Sequence, residues 1–226
     1  MKIGLIGDSL TEGRPGVSFY NILQSKYPSI TLNNLGKPGE TIKSLHTRLM
    51  KTKLDTDYDS VFLWIGVNDV YSKLLKVQAQ PVAKDQQEFN DYFNKVLEFI
   101  TPNSKQIVVV SPAIIGENIN NPSNRELREL STIMEASCKY SKVSFLNINS
   151  IFEKQLATLN CSDYISTGVF RVMKDVLFYK KPDRIDRLSS KRGLHLTLDG
   201  IHLNSKGAVI VAEEYSTLID RLLFNS

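Results

Sequence analysis

Two rhythms of apolar and polar residues alternate along the 226 residues. Short apolar runs of strand length occupy Lys2 to Gly7, Ile30 to Leu35, Ser60 to Ile65, Gln106 to Val110 and Val143 to Ile148. Between them, apolar residues recur at three- and four-residue steps, the spacing of one helix face. Phe19, Tyr20, Leu23 and Tyr27 mark a helix over Val17 to Tyr27, and Ile42, Leu45 and Leu49 mark another from Thr41 to about Lys53. Phe89, Tyr92, Phe93, Val96, Leu97 and Ile100 form a third such face, closed by Pro102, and Leu127, Leu130, Ile133 and Met134 a fourth. Asn204 to Leu223 restores the pattern at the end, with Val211, Tyr215, Leu218 and Leu222 available for packing.

Five strands alternating with helices predict an α/β fold: a three-layer α/β/α sandwich around a five-stranded parallel sheet, because right-handed crossovers put the intervening helices on the sheet's faces. The expected order is the flavodoxin-like 2-1-3-4-5. Residues 1–226 read as a single domain with an enlarged connection at about 150–197, where the pattern loosens into helical fragments including Val169 to Tyr179 and a polar stretch from Lys180 to Arg192.

Composition narrows the class of protein. Hydrophobic residues at 42% and charged ones at 23% are the balance of a globular chain, and no apolar run nears the roughly 18 residues that span a membrane. Met1 leads directly into a strand with no basic-then-apolar leader, so a cytoplasmic location is expected. Cys138 and Cys161 lack any metal-ligand spacing, which suggests neither a zinc site nor a disulfide framework, and no cofactor fingerprint is present. A net charge of +4, without aromatic residues interleaved among basic ones, argues against nucleic acid as a partner. The basic run Arg171, Lys174, Lys180, Lys181, Arg184, Arg187, Lys191 and Arg192 reads as a solvated face partly balanced by Asp175, Asp183 and Asp186; the other reading is a greeting surface for an anionic substrate. Oligomeric state has no signature in the sequence.

In a parallel sheet the residues following each strand gather along one carboxyl edge, where open α/β folds bind ligands. Ser9 follows the first strand through the turn Gly7-Asp8-Ser9, Gly39 the second, Asn68 the third and the Ser111-Pro112 turn the fourth. Ser9 is the candidate nucleophile. Attack by a hydroxyl needs a base, a group orienting that base, and donors for the developing oxyanion. His202 and Asp199, three residues apart, supply the first two; the backbone N–H groups of Ser9 and Gly39 and the side-chain amide of Asn68 supply the third. Each has a plainer reading: a capped turn at Asp8 and Ser9, a turn glycine at Gly39, a helix cap at Asn68, a surface turn at Asp199 and His202. His46 falls on the helix after Gly39, exposed or near its cap, and His195 in a strand-like alternation is the rival to His202 as base.

Gly7-Asp8-Ser9-Leu10, Gly36-x-x-Gly39-Glu40-Thr41, Gly66-x-Asn68-Asp69 and Asp199-Gly-Ile-His202 resemble, in order and rough spacing, the sequence blocks of the SGNH hydrolases, also called GDSL esterases and lipases. The resemblance spans nearly the whole chain. It implies Ser9 as nucleophile, His202 as base, Asp199 as its orienter, and an oxyanion hole of Ser9, Gly39 and Asn68. It further implies cofactor-free hydrolysis of a small-molecule carboxylic ester through an acyl-enzyme, with acetyl ester, lysophospholipid and thioester substrates all open. The competing expectation is a non-catalytic flavodoxin-like module that binds a ligand or protein at the same edge. The stretch between the fifth strand and Asp199 is longer than a compact member of the family needs, and no Gly-x-Ser-x-Gly elbow of the ordinary α/β-hydrolases occurs.

Overall fold

A computed structural model describes residues 1–52, 54, 57–75, 80–138, 142–168 and 181–224. Five strands, β1 (Lys2–Gly7), β2 (Thr31–Gly36), β3 (Tyr58–Trp64), β4 (Ser104–Val110) and β5 (Val143–Leu146), form one all-parallel sheet in the order β2-β1-β3-β4-β5. The expected topology is the observed one. β3 lies in the middle, flanked by β1 and β4, and the buried apolar runs at residues 3–7, 61–64 and 107–110 are the pattern of parallel strands covered by helices on both faces. Their register sets Gly7 beside Trp64 and Gly36, so the chain leaves three neighbouring strands at one level.

The helices α1 (Ser9–Glu12), α2 (Phe19–Lys26), α3 (Ile42–Lys51), α4 (Val67–Tyr71), α5 (Gln86–Ile100), α6 (Pro122–Ser137), α7 (Ile148–Leu156), α8 (Pro182–Lys191) and α9 (Ser205–Phe224) cover the described chain. On one face α5 lies between α3 and α6; on the other α2 packs against α9. An aromatic cluster binds this second layer to the sheet. The Phe62 and Tyr215 rings stack with centroids 4.5 Å apart, and Phe19 meets Tyr215 at 5.0 Å and Trp64 edge-on at 5.6 Å. Rings in offset or edge contact gain about 0.5–1.5 kcal/mol per pair beyond their burial, so these contacts tie α2, β3 and α9 together beneath the edge that carries Ser9.

Several expectations need correction. The fifth strand stops at Leu146, not Ile148, because the Asn147 side chain accepts from Ser150 N and starts α7 there. Lys180 to Arg192 is not merely a polar connection: Pro182 opens α8, which buries Ile185 and Ser189. α1 and α4 are short helices that no apolar period announced. Of the basic run, Lys181, Arg184, Arg187 and Lys191 are solvent-exposed, whereas Arg192 donates to Leu198 O at 2.9 Å and lies over the Tyr164 ring. The helical reading of Val169 to Tyr179, with Arg171, Lys174, Asp175 and Lys180, lies outside the described residues. Among the described residues no helix is long and apolar enough to cross a membrane.

Candidate active site

β1 ends in a turn with no room for a side chain. A Cβ on Gly7 would come within 2.2 Å of Thr11 Oγ1 and 2.3 Å of Trp64 O, so close approach demands the glycine. Asp8 then caps α1, its Oδ1 accepting from Leu10 N at 2.9 Å, and Ser9 becomes the first residue of that helix. An N–H at that position has no partner within the helix and is free to face an anion.

The segment bearing His202 returns to this turn from 193 residues away in sequence, and Ser9 Oγ lies 3.0 Å from His202 Nε2. On the far side of the ring, His202 Nδ1 is 2.8 Å from Asp199 Oδ2. A carboxylate there accepts the Nδ1 proton, which leaves Nε2 with a lone pair toward the serine hydroxyl. Asp199 Oδ1 accepts from the backbone N–H of His202 at 2.9 Å and of Ile201 at 3.1 Å. Burial pushes the Asp199 carboxyl up, but the facing imidazole and these hydrogen bonds outweigh it and hold the group below the ordinary carboxylate range. Ser9 and His202 are each 6% exposed, recessed but reachable.

Asn68, on α4, ties together the two loops that flank the serine. Its Nδ2 donates to Glu40 O at 3.0 Å and to Asp8 Oδ2 at 3.2 Å, bonding to the residue after Gly39 and to the residue before Ser9. Gly39 has φ +73° with nothing within 4 Å of where a Cβ would stand, so it is an exposed left-handed turn open to an incoming group. Ser9, Gly39, Asn68, Asp199 and His202 thus come to one edge. The fourth turn stays structural: Ser111 Oγ accepts from Asn149 N, and Trp64 Nε1 donates to Ser111 O.

His195 does not reach Ser9. Its Nε2 sits 3.1 Å from Asn160 O, and its strand-like alternation amounts to a single isolated bridge, between Thr197 and Leu203. His46 is half-buried, edge-on to Tyr92 at 5.2 Å, rather than exposed.

Two buried carboxyls beneath the donors carry more of the site than their sequence positions suggested. Burial lifts Asp8 to about 7, with its hydrogen bond from Leu10 and the His202 charge opposing. Burial also lifts Asp69 to about 8, its hydrogen bond from Ile42 opposing and the neighbouring Asp8 carboxyl adding to the rise. Asp69 accepts from Ile42 N at 3.0 and 3.3 Å and so anchors the start of α3. Glu40, whose carbonyl receives Asn68, is itself clamped by Arg48 at 2.5 and 2.7 Å. Asp8, Glu40 and Asp69 each stand inside one of the sequence blocks, which was the available signal for this network; the partners were not readable. Nearby, the loop from Gly13 to Ser18 walls a cavity of about 1000 Å³ together with Glu12, Asn34, Pro182 and Ile185, and neither Ser9 nor His202 lines it.

Comparison with known proteins finds relatives over nearly the whole chain. The family model described as GDSL-like Lipase/Acylhydrolase matches residues 3–215. An acetylxylan esterase from Geobacillus stearothermophilus is 24% identical over 187 residues, which span 70% of this chain and 84% of the relative. Among solved structures, an acetyl xylan esterase, AlAXEase, superposes with a TM-score of 0.68 at 20% identity, covering 97% of this chain and 100% of that one. A lipolytic protein of the G-D-S-L family from Veillonella parvula gives 0.65 at 14% identity, covering 98% and 99%.

Proposed function

Because the chain belongs to the GDSL-like lipase/acylhydrolase family, and is on that ground a carboxylic ester hydrolase, we propose that Ser9, His202 and Asp199 perform its chemistry and that its substrate is a short acyl ester of a sugar or similar polyol. The observation that carries the residue roles is the unbroken hydrogen-bonded run from Ser9 Oγ through His202 to Asp199, at 3.0 and 2.8 Å. Membership in a hydrolase family sets aside the non-catalytic reading of the same edge.

In this scheme Ser9 Oγ attacks the ester carbonyl while His202 Nε2 takes its proton. Asp199 steadies the imidazolium that forms. The carbonyl oxygen becomes an oxyanion facing the Ser9 and Gly39 N–H groups and the Asn68 amide. Asn68 makes its third bond by yielding the longer of its two resting ones, that to Asp8. Collapse returns the proton from His202 to the leaving alcohol, giving an acyl-Ser9. Water, deprotonated by the same imidazole, then releases the acid and restores the hydroxyl.

Support for a short acyl group comes from the recessed Ser9 and His202 and from the acetylxylan esterases to which the chain is similar. The test is hydrolysis of p-nitrophenyl acetate, butyrate and longer esters, with acetate release from acetylated xylo-oligosaccharides followed in parallel. Wild type should favour acetate and deacetylate the oligosaccharide, and Ser9→Ala should do neither. Equal rates for wild type and Ser9→Ala would remove the residue assignment, and a preference for long chains would remove the substrate class.

A further inference from the structure

Glu117 lies in the loop between β4 and α6, is 1% exposed, and belongs to none of the four sequence blocks. Its carboxylate is held by one short stretch of chain. Oε1 accepts from Leu196 N, Thr197 N and Thr197 Oγ1, each at 2.8 Å, and Oε2 accepts from His195 N at 2.7 Å. A carboxylate has about four lone-pair directions, two on each oxygen, so four donors from three consecutive residues, three on Oε1 and one on Oε2, occupy most of its capacity. The Cys161 thiol and the His195 ring approach the same carboxylate, as in a cation site. Four N–H and O–H donors already on those oxygens are the opposite of what a cation requires, and the carboxylate is better understood as a clamp on residues 195–197.

What it clamps leads directly to the base. The Thr197 hydroxyl, having donated to Glu117, accepts from Gly200 N at 3.2 Å, the residue after Asp199. Leu198 N donates to His202 O at 2.6 Å, and Gly116 N, next to Glu117, donates to Gly200 O at 2.6 Å. The loop presenting Glu117 is itself fixed from α6: the fully buried Asn124 accepts from Ile115 N at 2.9 Å and donates to Gly116 O and Asn118 O. A continuous set of buried bonds therefore runs from α6 through Glu117 and Thr197 to the turn bearing Asp199 and His202.

We propose that Glu117, acting through Thr197, is a positioning residue for the ester hydrolysis: it sets where the Asp199–His202 turn stands relative to Ser9. This rests on the assignment of Ser9, His202 and Asp199 given above. Glu117→Gln puts an amide NH₂ against an N–H that the carboxylate now receives, which pushes residues 195–197 away. Thr197→Val deletes the hydroxyl relay at almost constant volume, and Thr197→Ser keeps it. A misplacement of about 1 Å costs on the order of 10² in rate when reacting groups must be aligned.

The experiment measures kcat and KM on p-nitrophenyl acetate, normalised to Ser9 labelled by a fluorophosphonate so that only folded, competent sites count. Glu117→Gln and Thr197→Val should lower kcat per labelled site about 10- to 100-fold with KM within about twofold, slow the labelling itself by a similar factor, and Thr197→Ser should stay within about threefold of wild type. A purely structural role would lower the melting temperature and leave kcat per labelled site unchanged. Should Glu117→Gln not fold, Thr197→Val with its Thr197→Ser rescue decides alone. Wild-type kcat in the relay variants, with Ser9 labelling normally, overturns the positioning role only; failure of wild type to label at Ser9 overturns the triad assignment and this proposal with it.

Discussion

Replacing Asp8 by Asn should flatten the pH dependence of folding stability. Asp8 is buried beside Ser9, and burial raises its carboxyl from 3.8 to about 7. A raised carboxyl binds a proton in the folded chain that the unfolded chain has already lost, so stability falls as pH rises between the two values. A tenfold change in a protonation equilibrium is worth about 1.4 kcal/mol, so wild type should lose about 3 kcal/mol between pH 4.5 and pH 8 through this group. Asn cannot titrate, and its Oδ1 can still cap α1 at Leu10. The new amide opposite Asn68 adds a cost that is constant with pH and cancels when two pH values are compared. Removing the Asp8 charge also relaxes Asp69, which Asp8 pushes upward, and this acts in the same direction. Asp199 does not interfere: its folded value is depressed, so its contribution is lost only as pH falls below the ordinary carboxylate range. Urea unfolding of both proteins at the two pH values gives the difference of differences. Parallel pH profiles, agreeing within about 0.5 kcal/mol, would mean that Asp8 ionises as an ordinary carboxylate and that the burial argument is wrong.

Asn68→Ala should lower kcat by roughly 10²–10³ with little change in KM, and should cost about 1–3 kcal/mol of stability because Asp8 Oδ2 and Glu40 O lose their donor; steady-state kinetics and denaturant melts check the two halves. Asp199→Asn should lower kcat on the order of 10⁴, through loss of the tautomer that leaves Nε2 facing Ser9, without unfolding the chain. Arg48→Met should destabilise by about 3–5 kcal/mol in a urea melt, since the Glu40 carboxylate is then buried without its partner.

The topology was readable because β1, β3 and β4 are unmistakably apolar and their turns carry Gly, Asn or Pro, so order and layers followed from connection rules alone. The Asp199–His202 turn follows no strand of the sheet, so connection rules did not place it beside Ser9; its three-residue Asp-to-His spacing and the resemblance to the family's sequence blocks singled it out. Other features left weaker marks. α8 buries only Ile185 and Ser189, too few residues to set a helical period in a run of charges. Ile148 continued an apolar strand until the Asn147 cap, also legible as Asn-x-x-Ser, gave it to α7. Glu117 had no sequence signature at all, because its partners are mostly backbone N–H groups about 80 residues away, and backbone donors look the same at every position. Asp8 was legible as a cap but not as the acceptor for Asn68, which depends on the register that sets the end of β3 beside the end of β1.

Covalent labelling speaks most directly to the hydroxyl's activation. Wild type incubated with a fluorophosphonate and digested should show the phosphonyl mass added to the peptide containing Ser9, and His202→Ala should show that adduct forming at least about a hundredfold more slowly. An unmodified Ser9 peptide in fully folded wild type, or equal labelling in His202→Ala, would contradict the assignment of His202 as the base that activates Ser9.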